Sequence, residues 1–233
     1  MFMWSFTYRL VLILVLCGFA IWSGRYAISA YYYERAKSSY DAIDLDSLEY
    51  ASDLLPFIND VDEALRWREQ YADALDLKGD LLYQSWWLSP DGQYLEQSTL
   101  LQTAAMLHER ALLIRQNWSF SVARLALIYS NQKKLGDEFS LWFSEAHRLG
   151  LNETRVAYSM MQIGLHHWPV LSGQQRQQTT DFTRISIEQK ANSTKVIRAL
   201  LSGYGQLDFM CSELPVTKRM QEVCTNRTAT ETK

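Results

Sequence analysis

The stretch Ala104–Tyr129, AAMLHERALLIRQNWSFSVARLALIY, decides the fold of this chain. Apolar and small residues recur in it at steps of three and four, which predicts amphipathic helices. The first set is Leu100, Ala104, Leu107, Ala111 and Ile114, and the second is Val122, Leu125 and Ile128. We therefore expect two helices joined by a short polar connection.

The same pattern returns 35 residues later, since Ala111, Leu125 and Ile128 are echoed by Ala146, Met160 and Ile163. A period of about 34 residues is typical of tetratricopeptide repeats, in which pairs of antiparallel helices stack on their neighbours. Residues with the consensus spacing are Ala104, His108, Ala111 and Gln116, then Leu125, Ala126 and Tyr129, then Phe143 and Ala146. The consensus proline is absent, so a generic helical bundle is the alternative.

Other segments also favour helices, because only four prolines and ten glycines interrupt 233 residues. The predicted helices outside the central stretch are Leu45–Ile58, Val61–Leu77, Phe139–Gly150, Val156–His167, Ile185–Gln189 and Val196–Tyr204, with a turn at Ser89–Gly92. The predicted fold class is all-α: one N-terminal transmembrane helix followed by a tetratricopeptide-like helical repeat domain.

The N-terminal segment Leu10–Gly24 has no charged residue. The longer stretch Phe6–Tyr26 is sufficient to cross a bilayer core of about 30 Å at roughly 1.5 Å per residue. Arg9 and Arg25 flank it, and their long side chains can reach the headgroups. These features predict a membrane anchor.

Three alternatives to a permanent anchor follow from the same residues. A secretory signal peptide could be cleaved after Ala30, although Arg25 and several aromatic residues precede that position. A lipoprotein cleavage before Cys17 is disfavoured because Leu16 is not small. Burial in a soluble core is the third alternative. The flanking charges are too balanced to predict the orientation.

Composition and motifs exclude several classes of function. The net charge of −3 and the lack of a Lys/Arg run argue against nucleic acid as a partner. The chain has no nucleophile elbow, phosphate-binding loop or metal-binding His-Glu-x-x-His motif. His166 and His167 are adjacent and point to different sides of a helix, so no metal site and no cofactor are predicted. Cys211 and Cys224 are either free thiols or a disulfide, which would form more readily outside the cytoplasm.

The order of these features resembles a known family. A membrane helix and a tyrosine-rich stretch precede the repeat-like Ala111-Leu-Leu-Ile-Arg-Gln-Asn-Trp118, and Gly205-Gln-Leu-Asp-Phe-Met-Cys211 and Cys224 follow. This arrangement is similar to the VpsP-type polysaccharide biosynthesis proteins of Gram-negative bacteria. The resemblance implies an inner-membrane anchor, a periplasmic helical repeat and no catalytic residues. It implies protein partners in a polysaccharide polymerisation or export assembly.

The predicted function is that of a non-catalytic, membrane-anchored adaptor in exopolysaccharide biosynthesis or export. Its groove would bind protein through four residues of the first helices: Ser121, Arg124, Ser159 and Gln162. A Cys211–Cys224 disulfide would close the C-terminal end. The alternatives are a general envelope scaffold or a small-molecule-binding sensor, and an enzyme is a weaker third class. The predicted divisions are an anchor at 1–35, a repeat domain at 36–212 and a C-terminal cap and disordered tail at 213–233.

Overall fold

The computed structural model describes residues 2–44, 47–89 and 94–225, with side chains described from Tyr8 onward and not at 94–96. Every element of regular structure within these ranges is helical, which confirms the all-α prediction. The helices are α1 Phe2–Asp41, α2 Leu55–Trp67, α3 Ala72–Leu88, α4 Tyr94–Ile114, α5 Ser119–Asn131, α6 Asp137–Gly150, α7 Thr154–His166, α8 Gly173–Glu188, α9 Thr194–Gly203, α10 Leu207–Glu213 and α11 Lys218–Cys224. The predicted turn at Ser89–Gly92 and the tail after Thr225 lie largely outside the described residues.

Helix α1 has two parts with different surroundings. Its apolar N-terminal part exposes its side chains, and within the described residues it is the one helix long and apolar enough to cross a membrane. From Ser29 onward α1 packs on α2, so that Ser29, Tyr33 and Ala36 are buried. The apolar segment therefore continues without a break into a helix of the folded part.

The chain forms two compact units, Met1–Gln116 and Asn117–Lys233. The division differs from the predicted boundaries at 35 and 212 for a physical reason. The second half of α1 packs on α2, and α11 packs on α8 and α9. The second half of α1 and helix α11 therefore each belong to the unit of the helices on which they pack.

In the first unit, α1 pairs with α2, and α3 pairs with α4. The prediction of one helix over Val61–Leu77 is wrong, because α2 ends at Trp67 and α3 begins at Ala72. The residues between them reverse the chain, so that α3 can pack beside α2. In the predicted helix Leu45–Ile58, Leu45 lies outside the described residues, residues 48–50 are not helical, and α2 begins only at Leu55. A short 3-10 turn, Ala51–Leu54, precedes α2, which has Pro56 in its first turn.

Helices α3 and α4 approach closely around a buried histidine. His108 is 1% exposed, and its Nδ1 lies 2.9 Å from Asp76 Oδ1. A Cβ on Gly79 would lie 2.6 Å from His108 Nε2, so the imidazole occupies the space that a larger residue would need. His108 stands at the consensus position for phenylalanine, and its carboxylate partner is what allows a polar ring to be buried there.

The second unit contains two helical hairpins, α5 with α6 and α7 with α8. Polar contacts join residues 34 or 35 positions apart, which is the spacing of the sequence echo. Those from α6 reach α8 in the next hairpin, and those from α7 reach residues at the end of α8 or just after it. They are Ser140 with Gln175 at 3.1 Å, Ser144 with Gln178 at 3.4 Å, His147 with Asp181 at 2.9 Å, Thr154 with Gln189 at 2.6 Å and Tyr158 with Asn192 at 3.1 Å. Equivalent positions of the two hairpins are therefore neighbours in space.

Helix α8 is much longer than the predicted Ile185–Gln189. Ser172 caps it, since its Oγ accepts from the Gln175 backbone N–H at 3.3 Å and the Gln175 side chain accepts from the Ser172 N–H at 2.9 Å. The buried Thr179 and Thr183 hydroxyls each donate to the carbonyl four residues earlier at 2.8 Å. These two threonines are therefore buried without leaving their hydroxyl groups unpaired.

The C-terminal helices α10 and α11 are joined by a disulfide between Cys211 and Cys224, with the two Cα atoms 5.9 Å apart. Met210, Met220 and Val223 are buried beside it. Helix α11 packs on α8 and α9, so this segment covers the end of the second unit. The predicted C-terminal cap and tail begin at residue 213, and helix α11, Lys218–Cys224, lies within that segment.

We expect Gly164→Ala to destabilise the second unit by about 1–2 kcal/mol. A Cβ there would lie 2.5 Å from Thr179 Cγ2, and Thr179 is fully buried and stiff. Overpacking costs about 1–3 kcal/mol, partly offset by about 1 kcal/mol of better helix propensity. Chemical denaturation of the full chain measures the change.

The matched control is Gly203→Ala, because no atom lies within 4 Å of a Cβ at that position. It should be neutral or slightly stabilising. A Gly164→Ala/Thr179→Ala double variant should lose less than the sum of the two single variants. Additive losses would show that the two residues are not in the tight contact described.

Candidate functional site

The accessible sides of α5 and α7 form one face, which we call the first-helix face. On each helix the accessible residues follow steps of four, three and four, which place them on one side. The face consists of Phe120, Arg124, Leu127 and Asn131 on α5, and Arg155, Ser159, Gln162 and His166 on α7, each 35 positions further on. Because α5 contacts α7, the two rows lie side by side.

Three of the four predicted groove residues, Arg124, Ser159 and Gln162, lie on this face. Ser121 does not, because it is only 1% exposed. It shares the steps of four and three with Leu125 and Ile128, both fully buried, and so belongs to the packed side of α5. The prediction for Ser121 is therefore corrected.

The chemistry of the first-helix face is cationic and polar. Arg124 and Arg155 supply two guanidinium groups, and none of the eight residues that define the face is acidic. Asn131 and Gln162 add amide groups that can both donate and accept hydrogen bonds. Such a surface is complementary to an extended segment that carries carboxylates.

A cleft of about 440 Å³ opens at one end of this face, where α5 and α7 terminate. Its lining residues are Ser130, Asn131, Lys133, Leu135, His166, His167, Pro169 and Val170. Lys133 adopts a left-handed backbone conformation, with φ of 56°, as the chain leaves α5. The cleft therefore combines an apolar wall with a few polar groups, as ligand sites do.

Within the cleft, Ser130 Oγ lies 2.7 Å from His167 Nε2. Burial lowers the pKa of His167, and the neighbouring His166 lowers it further. The imidazole is therefore neutral at pH 7, and with its proton on Nδ1 it accepts the hydrogen bond of the Ser130 hydroxyl. Phe139 lies edge-on to the ring at a centroid distance of 6.2 Å.

A serine beside a neutral histidine is also the beginning of a nucleophile and base pair. Two features of this cleft oppose that chemistry. No carboxylate is among the lining residues to orient His167. The cleft also lies at the C-terminal ends of α5 and α7, where the helix dipole is negative and disfavours an oxyanion. The geometry is better suited to binding than to acyl transfer.

Comparison with models of known protein families gave no match, and comparison with curated proteins gave none. The family resemblance therefore stays a prediction.

Five further residues of the first-helix face were not predicted from the sequence: Phe120, Leu127, Asn131, Arg155 and His166. The signal that locates them was present, because each lies on the helical register of Arg124 or Gln162. What was lacking was the knowledge of which side of each helix is packed.

Proposed function

We propose that this protein is a non-catalytic, membrane-anchored adaptor that binds a partner protein on the first-helix face. The observation that carries the proposal is the pair of aligned, accessible rows on α5 and α7, joined by helix contact. Stacked helical hairpins present extended surfaces of this kind, and they serve binding more often than chemistry. The partner segment is expected to be acidic, since the eight residues that define the face include two arginines and no acidic residue.

The continuity of α1 supports a retained anchor. The helix runs through Ala30, the candidate cleavage position, and Ser29 just before it is buried. The Ser29 hydroxyl donates to the carbonyl of Ala64 at 2.8 Å. Cleavage after Ala30 would remove this residue and its hydrogen bond from the core of the first unit, so retention of the segment is favoured.

The proposed location is the bacterial inner membrane, with the helical units in the periplasm. The Cys211–Cys224 disulfide supports this location, because disulfides persist in oxidising compartments. The role in exopolysaccharide biosynthesis or export rests on the family resemblance alone. Anchoring would raise the effective concentration of the first-helix face near a membrane-bound partner.

A small-molecule sensor is the second candidate function, and the cleft favours it. The cleft offers a neutral His167, the Ser130 hydroxyl and the Lys133 ammonium around an apolar wall. A bound ligand there would lie next to Asn131 and His166 of the first-helix face. Ligand binding and partner binding would then be coupled in one unit.

We expect the double variant Arg124→Ala/Gln162→Ala to fold normally and to reduce exopolysaccharide output several-fold. The variant removes a cation and an amide from the two rows of the face, while their helices keep their buried sides. Output is measured in a strain that lacks the native protein and carries the variant.

The control is Arg148→Ala/Gln177→Ala, which makes the same two replacements on the second helices α6 and α8, where both residues are exposed. Arg148 pairs with Glu145 on the surface, a contact of small energetic value. This control should leave output unchanged. Equal effects of the two double variants, at equal protein levels, would contradict the proposed face.

Topology gives a separate prediction. A reporter enzyme that is active only in the periplasm should be active when it is fused after Lys233, because the family resemblance implies an amino terminus in the cytoplasm and helical units in the periplasm. A reporter that is active only in the cytoplasm should be inactive at the same position. The reverse pattern would refute the proposed orientation.

A further inference from the structure

The end of α2 lies beside the point where the apolar segment of α1 ends. Arg25, the first charged residue after that segment, donates to the carbonyl of Trp67 at 3.4 Å. One turn further on, Ser29 binds the carbonyl of Ala64. The last turn of α2 is thus fixed at the level of Arg25, and all these residues belong to the first unit.

Basic and aromatic side chains cluster near Arg25, where the apolar segment of α1 ends. The guanidinium group of Arg68 lies 4.8 Å from the ring centroid of Tyr26 and 4.6 Å from that of Tyr71. The side chain of Arg66 is 76% exposed. Trp67 is 37% exposed. We call Arg25, Arg66, Trp67 and Arg68 the basal cluster.

Carboxylates neutralise this region only in part. Glu63 lies 3.1 Å from Arg66, and Glu69 lies 3.4 Å from a further arginine, Arg110. Glu34 and Asp73 also act on Tyr71, and Asp73 pairs with Arg115. With these included, five arginines stand against four carboxylates, so the region keeps a small net positive charge. Arg25 contributes to this charge and sits at the boundary of the apolar segment itself.

We propose that the basal cluster binds the phosphate groups of anionic phospholipids in the membrane that α1 crosses. This inference rests on the proposed anchor. From Arg9 to Arg25 the helix rises about 24 Å, which nearly matches a hydrocarbon core of about 30 Å. The headgroup layer adds about 5–8 Å on each side, so one helical turn beyond Arg25 still lies within it.

The chemistry of the basal cluster suits that layer. Arginine guanidinium groups bind phosphate oxygens in a bidentate manner, and tryptophan and tyrosine prefer the depth of the headgroups. Stacking on two tyrosine rings holds Arg68 in place, so little side-chain freedom is lost on binding. Lipid binding would therefore fix the first unit against the membrane surface, instead of leaving it on a flexible stem.

The test uses the full chain, purified in detergent and titrated with phosphatidylglycerol, with bound lipid counted by native mass spectrometry. The variant R66Q/R68Q should bind phosphatidylglycerol about fivefold more weakly for each arginine removed. The variant R66K/R68K, which keeps both charges, should retain most of the binding. The variant R148Q/K195Q, with the same charge change at exposed positions of the second unit, should bind like the native chain.

Two outcomes would overturn the proposal. Unchanged lipid binding by R66Q/R68Q is one, and an equal loss with R148Q/K195Q is the other, since it would show a general charge effect. Alkaline carbonate extraction of membranes tests the anchor separately from lipid binding. A native chain released into the soluble fraction would contradict the anchor itself, whereas a chain that stays in the membrane leaves the lipid titration to decide.

Discussion

Replacing Phe143 by alanine is expected to lower the free energy of unfolding of the second unit by about 3–5 kcal/mol. Phe143 is fully buried, and its ring centroid lies 5.3 Å from that of Phe139 and 5.8 Å from that of Phe182. The three rings join α6 of one hairpin to α8 of the next. Their loss would leave a cavity between the two hairpins, where rigid helices collapse poorly.

Hydrogen exchange of the full chain, followed for peptides of α6 and α8, measures this change as a loss of protection. The matched control is Leu141→Ala on the same helix, because Leu141 is 59% exposed. Surface substitutions usually change the free energy of unfolding by no more than about 0.5 kcal/mol, so this variant should cost well under 1 kcal/mol. Similar losses for the two variants would mean that the aromatic contact between the hairpins does not hold the unit together.

The second large effect is expected on removal of the disulfide. Cys211→Ser/Cys224→Ser should lower the stability of the C-terminal segment by about 3 kcal/mol, because the bond closes a loop of about 14 residues. Helices α10 and α11 have 7 residues each, too short to persist without it and their buried contacts. Exchange of their amides should therefore rise strongly, while α5 and α6 change little.

Mass mapping of the unreduced protein checks the premise of that experiment. It should find one linked peptide pair that contains both cysteines. Replacing both residues together avoids mispairing of the remaining thiol with Cys17, which is free. Two alkylatable thiols in protein isolated from the envelope would refute the disulfide.

Where apolar periodicity was strong, the sequence predicted the helices well. Helix α6 was expected over Phe139–Gly150 and begins two residues earlier, at Asp137. Helix α7 was expected to stop before Pro169 and ends at His166. In both helices the packed side is apolar, so the spacing of the apolar residues in the sequence predicts which positions are buried.

Helix α8 shows why other parts could not be predicted. Its sequence GQQRQQTTDFTRISIE is polar, yet Gln175, Gln178, Thr179 and Thr183 are buried. The threonine hydroxyls are satisfied within the helix, and the glutamines contact serines of α6. Burial of this kind depends on partners about 35 residues away, which periodicity within one segment cannot reveal.

The residues of the candidate site could be predicted from the sequence only in part. The repeat period made positions of α5 and α7 equivalent, and the two helices are in contact. Arg124, Ser159 and Gln162 are at accessible positions, and their role in binding stays a prediction. The burial of Ser121 and the Ser130–His167 contact depend on how the helices are rotated and where they end. A sequence pattern predicts which residues share one side of a helix. It does not predict how that side is rotated relative to the neighbouring helices.

Site-specific photo-crosslinking in the native host tests the central claim, partner binding on the first-helix face, most directly. A photoreactive residue is placed at Gln162 on α7, and a control is placed at Arg148, whose side chain is 61% exposed on the second helix α6. The account predicts a discrete adduct with a membrane-associated protein from position 162, lost when Arg124 is replaced by alanine, and no such adduct from position 148. The same adduct from both positions, or none from position 162, would contradict it.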